Sequence, residues 1–274
     1  DGTGALLLTL ALVAYALAMT WGGGHIGAVS MALLVAAVWI GFGFIRHEAS
    51  THSPLLQPEL FRNRLIRRGF ASGALAATVA MTTLVVGPFY LSRTLGLHAA
   101  LIGLVLSVGP LCAALTGVPA GRLADRLGPQ RMTVLGLIGI AVGAFLLSVI
   151  PATLGIYGYT APLIVITVGY ALFQTANNTA VMTDTRPEQR GVISGLLNLS
   201  RNLGLITGAS VMGAVFAAAS STIDITTAPP DAVAIGMRVT FAVAAVLTLV
   251  ALAIAVATYR RELYGWAMAP TAES

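Results

Sequence analysis

The sequence predicts an all-α integral membrane protein with eight transmembrane helices. Hydrophobic residues make up 57% of the 274 positions and charged residues only 9%, against about 25% charged in soluble globular proteins. Eight apolar stretches approach the length that a helix needs to cross a bilayer. They are continuously apolar, whereas the strands of a membrane β-barrel alternate between apolar and polar residues. The composition therefore excludes a water-soluble enzyme domain and favours a helical bundle.

The predicted spans lie near residues 5–20, 27–45, 70–91, 100–119, 132–150, 161–183, 191–218 and 236–258. Gly22, Gly23 and Gly24 predict a tight turn between the first two spans. The longest connection, after the second span, divides the chain. We therefore predict a two-helix hairpin over 1–46, a cytoplasmic amphipathic linker over 47–69, a six-helix bundle over 70–263 and a polar cytoplasmic tail over 264–274. In the linker, a short interfacial helix from Pro58 and a simple basic loop are equally compatible with the sequence.

The arginines predict the orientation of the chain. All fifteen basic residues are Arg, and twelve of them fall in loops on one side of the predicted membrane. Cytoplasmic loops carry an excess of basic residues, so this side is predicted to be cytoplasmic, with both chain ends. We expect a multi-pass protein of the bacterial inner membrane, with the lipid bilayer as its surroundings. Short scattered clusters of Arg are not typical of nucleic-acid binding, which is not predicted.

No group of residues predicts catalysis. Cys112 is the single cysteine, and no catalytic or nucleotide-binding motif occurs, so we predict no enzyme activity, no metal site and no cofactor. The chain begins with Asp1 and not Met. We expect it to be a processed or truncated form.

One face of the sixth span combines aromatic and amide side chains. Helical spacing of three and four places Tyr170, Phe173, Gln174, Asn177 and Asn178 on that face. Uncharged amides beside aromatic rings suit a small amphiphilic organic solute. The alternative is amide hydrogen bonding between neighbouring helices. The further candidates for solute binding are Met81, Thr82 and Asn198.

Arg201 is the clear intramembrane charge of the sequence, about 15 Å from Gly191 along the seventh span. A charge at this depth must face a cavity or a partner. Two interpretations follow. Arg201 either contacts the solute or a gate, or it holds neighbouring helices together as a structural clamp. The seventh span also carries glycines four residues apart, which predict close packing deep in the bundle, at Gly191, Gly195, Gly204 and Gly208.

No Asp or Glu lies deep in a predicted span. A proton-coupled carrier needs a titratable group on its pathway. If protons drive this protein, we expect the proton carrier to lie outside this chain.

Residues 121–131 read GRLADRLGPQR. This stretch resembles the loop motif of the major facilitator superfamily in its second copy, with matches at Gly121, Asp125, Arg126 and Gly128. The resemblance implies a conformational role for these residues and for Arg131 and Arg201. Asp125 is expected to cap or face a helix N-terminus. Pro129 and Gln130 depart from the family pattern, which usually has basic residues there.

Residues 54–64 and 190–204 also resemble the fourteen-helix drug:proton antiporter branch of that superfamily. The resemblance implies an extra helix pair followed by the C-terminal six-helix half, with the N-terminal half missing. The third and sixth spans would line a central cavity, and the seventh would meet the other half. It further implies proton-coupled efflux of small organic solutes by alternating access. The alternatives are a transporter of one specific metabolite and a membrane scaffold subunit without transport.

Overall fold

The computed structural model describes residues 2–21, 27–51, 63–183, 185–221 and 227–267, with side chains as far as residue 257. The helices of this part are α1 (Gly2–Thr20), α2 (Ala28–Ser50), α3 (Arg64–Phe89), α4 (Ala99–Leu127), α5 (Pro129–Val149), α6 (Gly155–Thr183), α7 (Arg190–Thr207), α8 (Gly213–Ala219) and α9 (Pro230–Ala267). Short π-helical turns extend α3 over Tyr90–Thr94 and join α7 to α8 over Gly208–Met212. Eight segments of the described chain are long and apolar enough to cross a bilayer, which confirms the predicted fold class.

The described ends of the predicted linker belong to the helices on either side of it. Helix α2 continues to Ser50, and α3 begins at Arg64, six residues before the predicted bundle boundary. The Asn63 side chain accepts a hydrogen bond from the Leu65 backbone N–H at 2.9 Å, which caps the first turn of α3. The predicted interfacial helix, the glycine turn after Trp21 and the polar tail lie largely outside the described residues.

Helices α5 and α6 are in close backbone contact. A Cβ atom at Gly169 of α6 would lie 2.8 Å from the Gly136 carbonyl oxygen and 3.1 Å from the Gly139 carbonyl carbon of α5. A Cβ atom at Gly143 would lie 2.9 Å from the Pro162 carbonyl oxygen. Glycine is therefore required for this contact, as expected where membrane helices approach closely. In contrast, Cβ atoms at Gly117 and Gly121 of α4 would meet no atom within 4 Å.

The apolar core lies between α3, α5, α6 and α9. Its largest buried side chains include Tyr90, Leu137, Ile140, Tyr159, Ile166 and Phe241. The Tyr90 and Tyr159 rings stack with centroids 5.9 Å apart. The Tyr159 hydroxyl donates a 3.0 Å hydrogen bond to the Thr83 carbonyl, so the buried phenol has a partner.

Helix α7 lies at the edge of the described bundle, and only its second half has the close packing that its glycines predict. Only Ile193 and Gly204 of α7 are buried. Cβ atoms at Gly204 and Gly208 would lie 2.3 Å and 2.7 Å from carbonyl oxygens of α3, whereas Gly191 and Gly195 meet nothing within 4 Å. One glycine pair thus fixes α7 to α3, and the other leaves the first half of α7 exposed. The predicted packing required a second neighbour on that face, which the described chain does not supply.

The α1–α2 hairpin contacts the far end of the seventh span. The Tyr15 hydroxyl forms a hydrogen bond with the Thr207 hydroxyl, and the Ser210 hydroxyl donates to the Met19 carbonyl. These polar contacts join the hairpin to the bundle through α1.

Candidate functional site

A cavity of about 170 Å³ lies between α3, α6 and α7. Its lining combines amide, hydroxyl, aromatic and guanidinium groups. The lining residues are Gly69, Gly73, Tyr170, Phe173, Gln174, Asn177, Asn178, Met182, Ser194, Leu197, Asn198, Ser200 and Arg201. The structure thus brings together six of the eight residues predicted from the sequence to bind solute, together with Arg201.

Helix α6 supplies the largest share of the cavity wall. Phe173 is buried at its back, Tyr170 and Gln174 are half-buried, and Asn178 is exposed. The Asn177 side-chain amide donates a 3.2 Å hydrogen bond to the Gly69 carbonyl of α3. The interhelical interpretation of this face therefore applies to Asn177, which both lines the cavity and ties α6 to α3.

Helix α3 contributes glycines, which the sequence analysis did not select. A Cβ atom at Gly69 would lie 2.5 Å from a methyl group of Val181 and 3.3 Å from the Asn177 side-chain oxygen. A Cβ atom at Gly73 would lie 3.7 Å from the Asn177 amide nitrogen. The absence of side chains here lets α6 approach α3 while leaving space beside Asn177. The spacing of four between Gly69 and Gly73 was the available sequence signal.

Met81 and Thr82, also predicted to bind solute, lie outside this cavity. Thr82 is fully buried, and its hydroxyl donates to the Thr78 carbonyl of the same helix at 3.1 Å. Met81 packs beside Gly208, whose Cβ atom would lie 3.0 Å from the Met81 Cβ. Thr82 is about 13 Å beyond Gly73 along α3. The sequence indicated that both residues belong to the third span. It did not indicate their position along that span relative to the cavity, and this position separates them from it.

Helix α7 brings Arg201 to the cavity. The Thr78 hydroxyl donates to the Gly204 carbonyl at 3.0 Å, and the Ser200 hydroxyl donates to the Phe70 carbonyl at 2.7 Å. These two bonds hold α7 against α3 on either side of Arg201. The Arg201 guanidinium in turn lies close enough to interact with the Tyr170 hydroxyl of α6.

A carboxylate clamp for Arg201 is not available from the helices that form the cavity. The chain has ten Asp and Glu residues, and none of them lies in α3, α6 or α7. The partner that the described chain offers to Arg201 is a neutral phenol. The cavity therefore carries a net positive charge from its own helices.

The motif at residues 121–131 forms the corner between α4 and α5, away from the cavity lining. Gly128 has φ of 83° and ψ of 146°, a conformation that favours glycine, and Pro129 takes the first position of α5. Asp125 and Arg126 are exposed in the last turn of α4, and Arg131 is exposed in the first turn of α5. The N-cap residue of α5 is Gly128, which has no side chain to accept a hydrogen bond from the first turn.

The described residues contain no group of three or more His, Cys, Asp or Glu side chains that could hold a metal ion. Cys112 is half-buried in α4. In the cavity, converging side chains supply hydrogen-bond donors and acceptors that suit the binding of a solute.

Eight segments that are long and apolar enough to span a membrane, with a polar cavity between three of the helices, are features of a membrane transporter. The chain belongs to the Major Facilitator Superfamily, whose family model matches residues 2–209. This finding confirms the resemblance stated from the loop motif. The superfamily is a family of multi-pass membrane transporters that act on small solutes, and its members are not enzymes.

Among curated proteins, the chain is similar to three bacterial transporters. It is 33% identical over 179 residues to the uncharacterized transporter YebQ of Escherichia coli K12, covering 65% of this chain and 39% of YebQ. It is 26% identical over 200 residues to the multidrug efflux pump LfrA of Mycolicibacterium smegmatis, covering 71% and 39%. It is 27% identical over 234 residues to the quinolone resistance protein NorB of Staphylococcus aureus MW2, covering 83% and 50%. The chain thus spans half or less of the length of these relatives.

Proposed function

We propose that this chain is the C-terminal part of a proton-coupled exporter of drugs or other amphiphilic organic solutes. The observation that carries the proposal is the cavity between α3, α6 and α7, where aromatic rings and amides line one space. The names of LfrA and NorB, a multidrug efflux pump and a quinolone resistance protein, support the same solute class.

In this proposal, the transport cycle involves a second half that is not part of the chain. The exposed polar face of α7, with Ser194, Asn198 and Arg201, would face an N-terminal six-helix half. Rocking of the two halves would expose the cavity to each side in turn. The residues of the α4–α5 corner, Gly121, Asp125, Arg126, Gly128 and Arg131, together with Arg201, would control that motion.

The proton pathway and the orientation are also part of the proposal. Because α3, α6 and α7 carry no carboxylate, the proton-binding group would belong to the other half. The excess of arginines in one set of loops supports a cytoplasmic location for both ends of this chain, in the bacterial inner membrane.

Transport in liposomes tests the proposal. The complete protein that contains this chain would be reconstituted, and movement of a fluorescent quinolone, the solute class in the name of NorB, would be followed after a pH gradient is applied. We expect gradient-dependent transport, and Asn198→Ala should lower its rate threefold to tenfold because the cavity loses a hydrogen-bonding group worth about 1 kcal/mol.

Asn202→Ala is the matched control. Asn202 is an exposed amide one turn further along α7 and does not line the cavity, so its removal should leave the rate within twofold of wild type. Equal losses for the two variants would contradict the assignment of the cavity as the solute site. Quinolone transport that does not respond to the pH gradient would contradict proton coupling, and no transport at all would favour a scaffold.

A further inference from the structure

We infer that the cavity between α3, α6 and α7 takes the negatively charged end of an organic anion, and that an aromatic carboxylate is the kind of solute it fits. This inference rests on the proposed transport function and specifies its substrate class. Three observations support it: the positive charge of the cavity, the row of cationic and hydrogen-bonding side chains along α7, and the volume of the space.

The first observation is that Arg201 has no anionic neighbour in the cavity. None of the thirteen lining residues is Asp or Glu, and Tyr170, which interacts with the guanidinium, is a neutral phenol. A guanidinium is always charged in proteins and matches a carboxylate with two parallel hydrogen bonds. Arg201 is exposed on the face of α7 that would meet the other half, so the complete protein would enclose its guanidinium in a space where attraction for an anion is stronger than in water. A cationic solute would meet repulsion from this group.

The second observation is a line of cations and neutral donors along α7. Successive steps of four, four and three residues place Arg190, Ser194, Asn198 and Arg201 on one face of the helix. Arg190 lines an open depression of about 440 Å³ that shares Asn178 and Met182 with the cavity. The two arginines are about 16 Å apart along the helix axis.

Positive charge is thus present both at the open depression, through Arg190, and at the cavity, through Arg201. Glu188 precedes Arg190 by two residues but lines neither the cavity nor the depression, and Asp184 lies outside the described residues. A cleft lined by one sign of charge raises the local concentration of solutes with the opposite sign. Arg190 would therefore collect anions, and Arg201 would hold them.

The third observation is the size of the space. An apolar cavity of about 150 Å³ is large enough for benzene, and the present cavity measures about 170 Å³. It therefore accommodates one aromatic ring with a small polar group. Tyr170, Phe173 and Leu197 offer apolar surface to the ring, while Gln174 and Asn198 offer hydrogen-bond donors beside Arg201.

Three probes that differ in charge test the inference. Benzoate, benzamide and benzylamine share one aromatic ring and carry charges of −1, 0 and +1 at neutral pH. Their equilibrium binding to the complete protein in zwitterionic lipid nanodiscs would be measured by saturation-transfer NMR, with empty nanodiscs as the background. We expect benzoate to bind at least tenfold more tightly than benzylamine, with benzamide between them. This comparison uses the wild-type protein and does not depend on the folding of any variant.

Variants of the arginines locate the effect. Arg201→Gln should lower benzoate affinity about tenfold and leave benzamide affinity within twofold, whereas Arg201→Lys should retain part of the preference for benzoate. Arg190→Gln should lower benzoate affinity by a smaller factor of two to five. Arg93→Gln, an exposed arginine that lines neither space, makes the same change in net charge and should have no effect.

Two results would overturn the inference. If benzylamine bound as tightly as benzoate, another part of the complete protein would neutralise Arg201. If benzoate binding were insensitive to Arg201→Gln, the anion would bind elsewhere. Either result, obtained alongside gradient-driven quinolone transport, would leave the proposed function intact. Charge-selective binding without transport of any solute would instead contradict the proposed function and leave the anion site in place.

Discussion

Substituting Gly204 by Ala should loosen the contact between α7 and α3. The new Cβ atom would lie 2.3 Å from the Ala74 carbonyl oxygen and 2.9 Å from its Cα, where ordinary contact begins at 3.4 Å. Because both partners are backbone atoms, no side-chain rotation relieves the overlap. Helix α7 must move away from α3 by about 1 Å, a displacement that weakens the 3.0 Å hydrogen bond from Thr78 to the Gly204 carbonyl.

The size of the effect follows from three contributions. Overpacking costs about 1–3 kcal/mol, and loss of an interhelical hydrogen bond in a membrane protein adds about 0.6 kcal/mol. The better helix propensity of Ala offsets about 1 kcal/mol of this sum. We therefore expect Gly204→Ala to lower the free energy of unfolding by about 0.6–2.6 kcal/mol.

Gly195→Ala is the matched control, because it makes the same substitution in the same helix where a Cβ atom meets nothing within 4 Å. It should leave stability unchanged or raise it by up to about 1 kcal/mol. Both variants of the complete protein would be unfolded by SDS in mixed micelles and followed by circular dichroism. If their unfolding free energies differed by less than about 0.5 kcal/mol, the reasoning from close backbone contact would be refuted.

Three further substitutions can be measured by the same titration. Tyr159→Phe should cost about 1 kcal/mol, because the buried hydroxyl loses its 3.0 Å hydrogen bond to a carbonyl of α3; an unchanged midpoint would mean that this bond contributes nothing. Gly128→Ala should cost about 1–3 kcal/mol, since φ of 83° with ψ of 146° strains any residue with a Cβ, and a cost below that range would contradict the strain. Asn177→Ala should cost about 1 kcal/mol through its lost bond to α3, while the exposed Asn178→Ala should not; a larger loss for Asn178 would reverse their assigned roles.

Part of the candidate site could be predicted from helical periodicity alone. Tyr170, Gln174, Asn177 and Asn178 share one side of α6 because 3.6 residues per turn fix their relative directions wherever the helix lies. That periodicity does not tell which neighbour the side faces. Thr82 illustrates this limit. It was predicted to bind solute, but its hydroxyl donates to a carbonyl of α3 and its side chain is fully buried.

The glycines show a second limit. Gly191 with Gly195 and Gly204 with Gly208 have the same spacing in the sequence, yet only the second pair packs against α3. Glycines four residues apart leave a strip of helix surface without side chains. Whether another backbone packs against that strip depends on how far α3 extends and on where α3 crosses α7. The lining glycines Gly69 and Gly73 carry no side chain and so gave no chemical signal of the cavity.

The sequence by itself determined the helical membrane class, the eight spans and the family motif at the α4–α5 corner. These depend on properties that each segment holds alone, namely apolar length, local turn conformation and the order of residues along the chain. Only the tertiary structure decided that α3, α6 and α7 enclose one space and that Arg201 reaches it beside Tyr170. The residues that line this space lie up to 132 positions apart in the sequence, from Gly69 to Arg201, and how the helices cross decides which of them come together. Local sequence does not encode how the helices cross, because the crossing geometry arises from packing between helices that are far apart in the sequence.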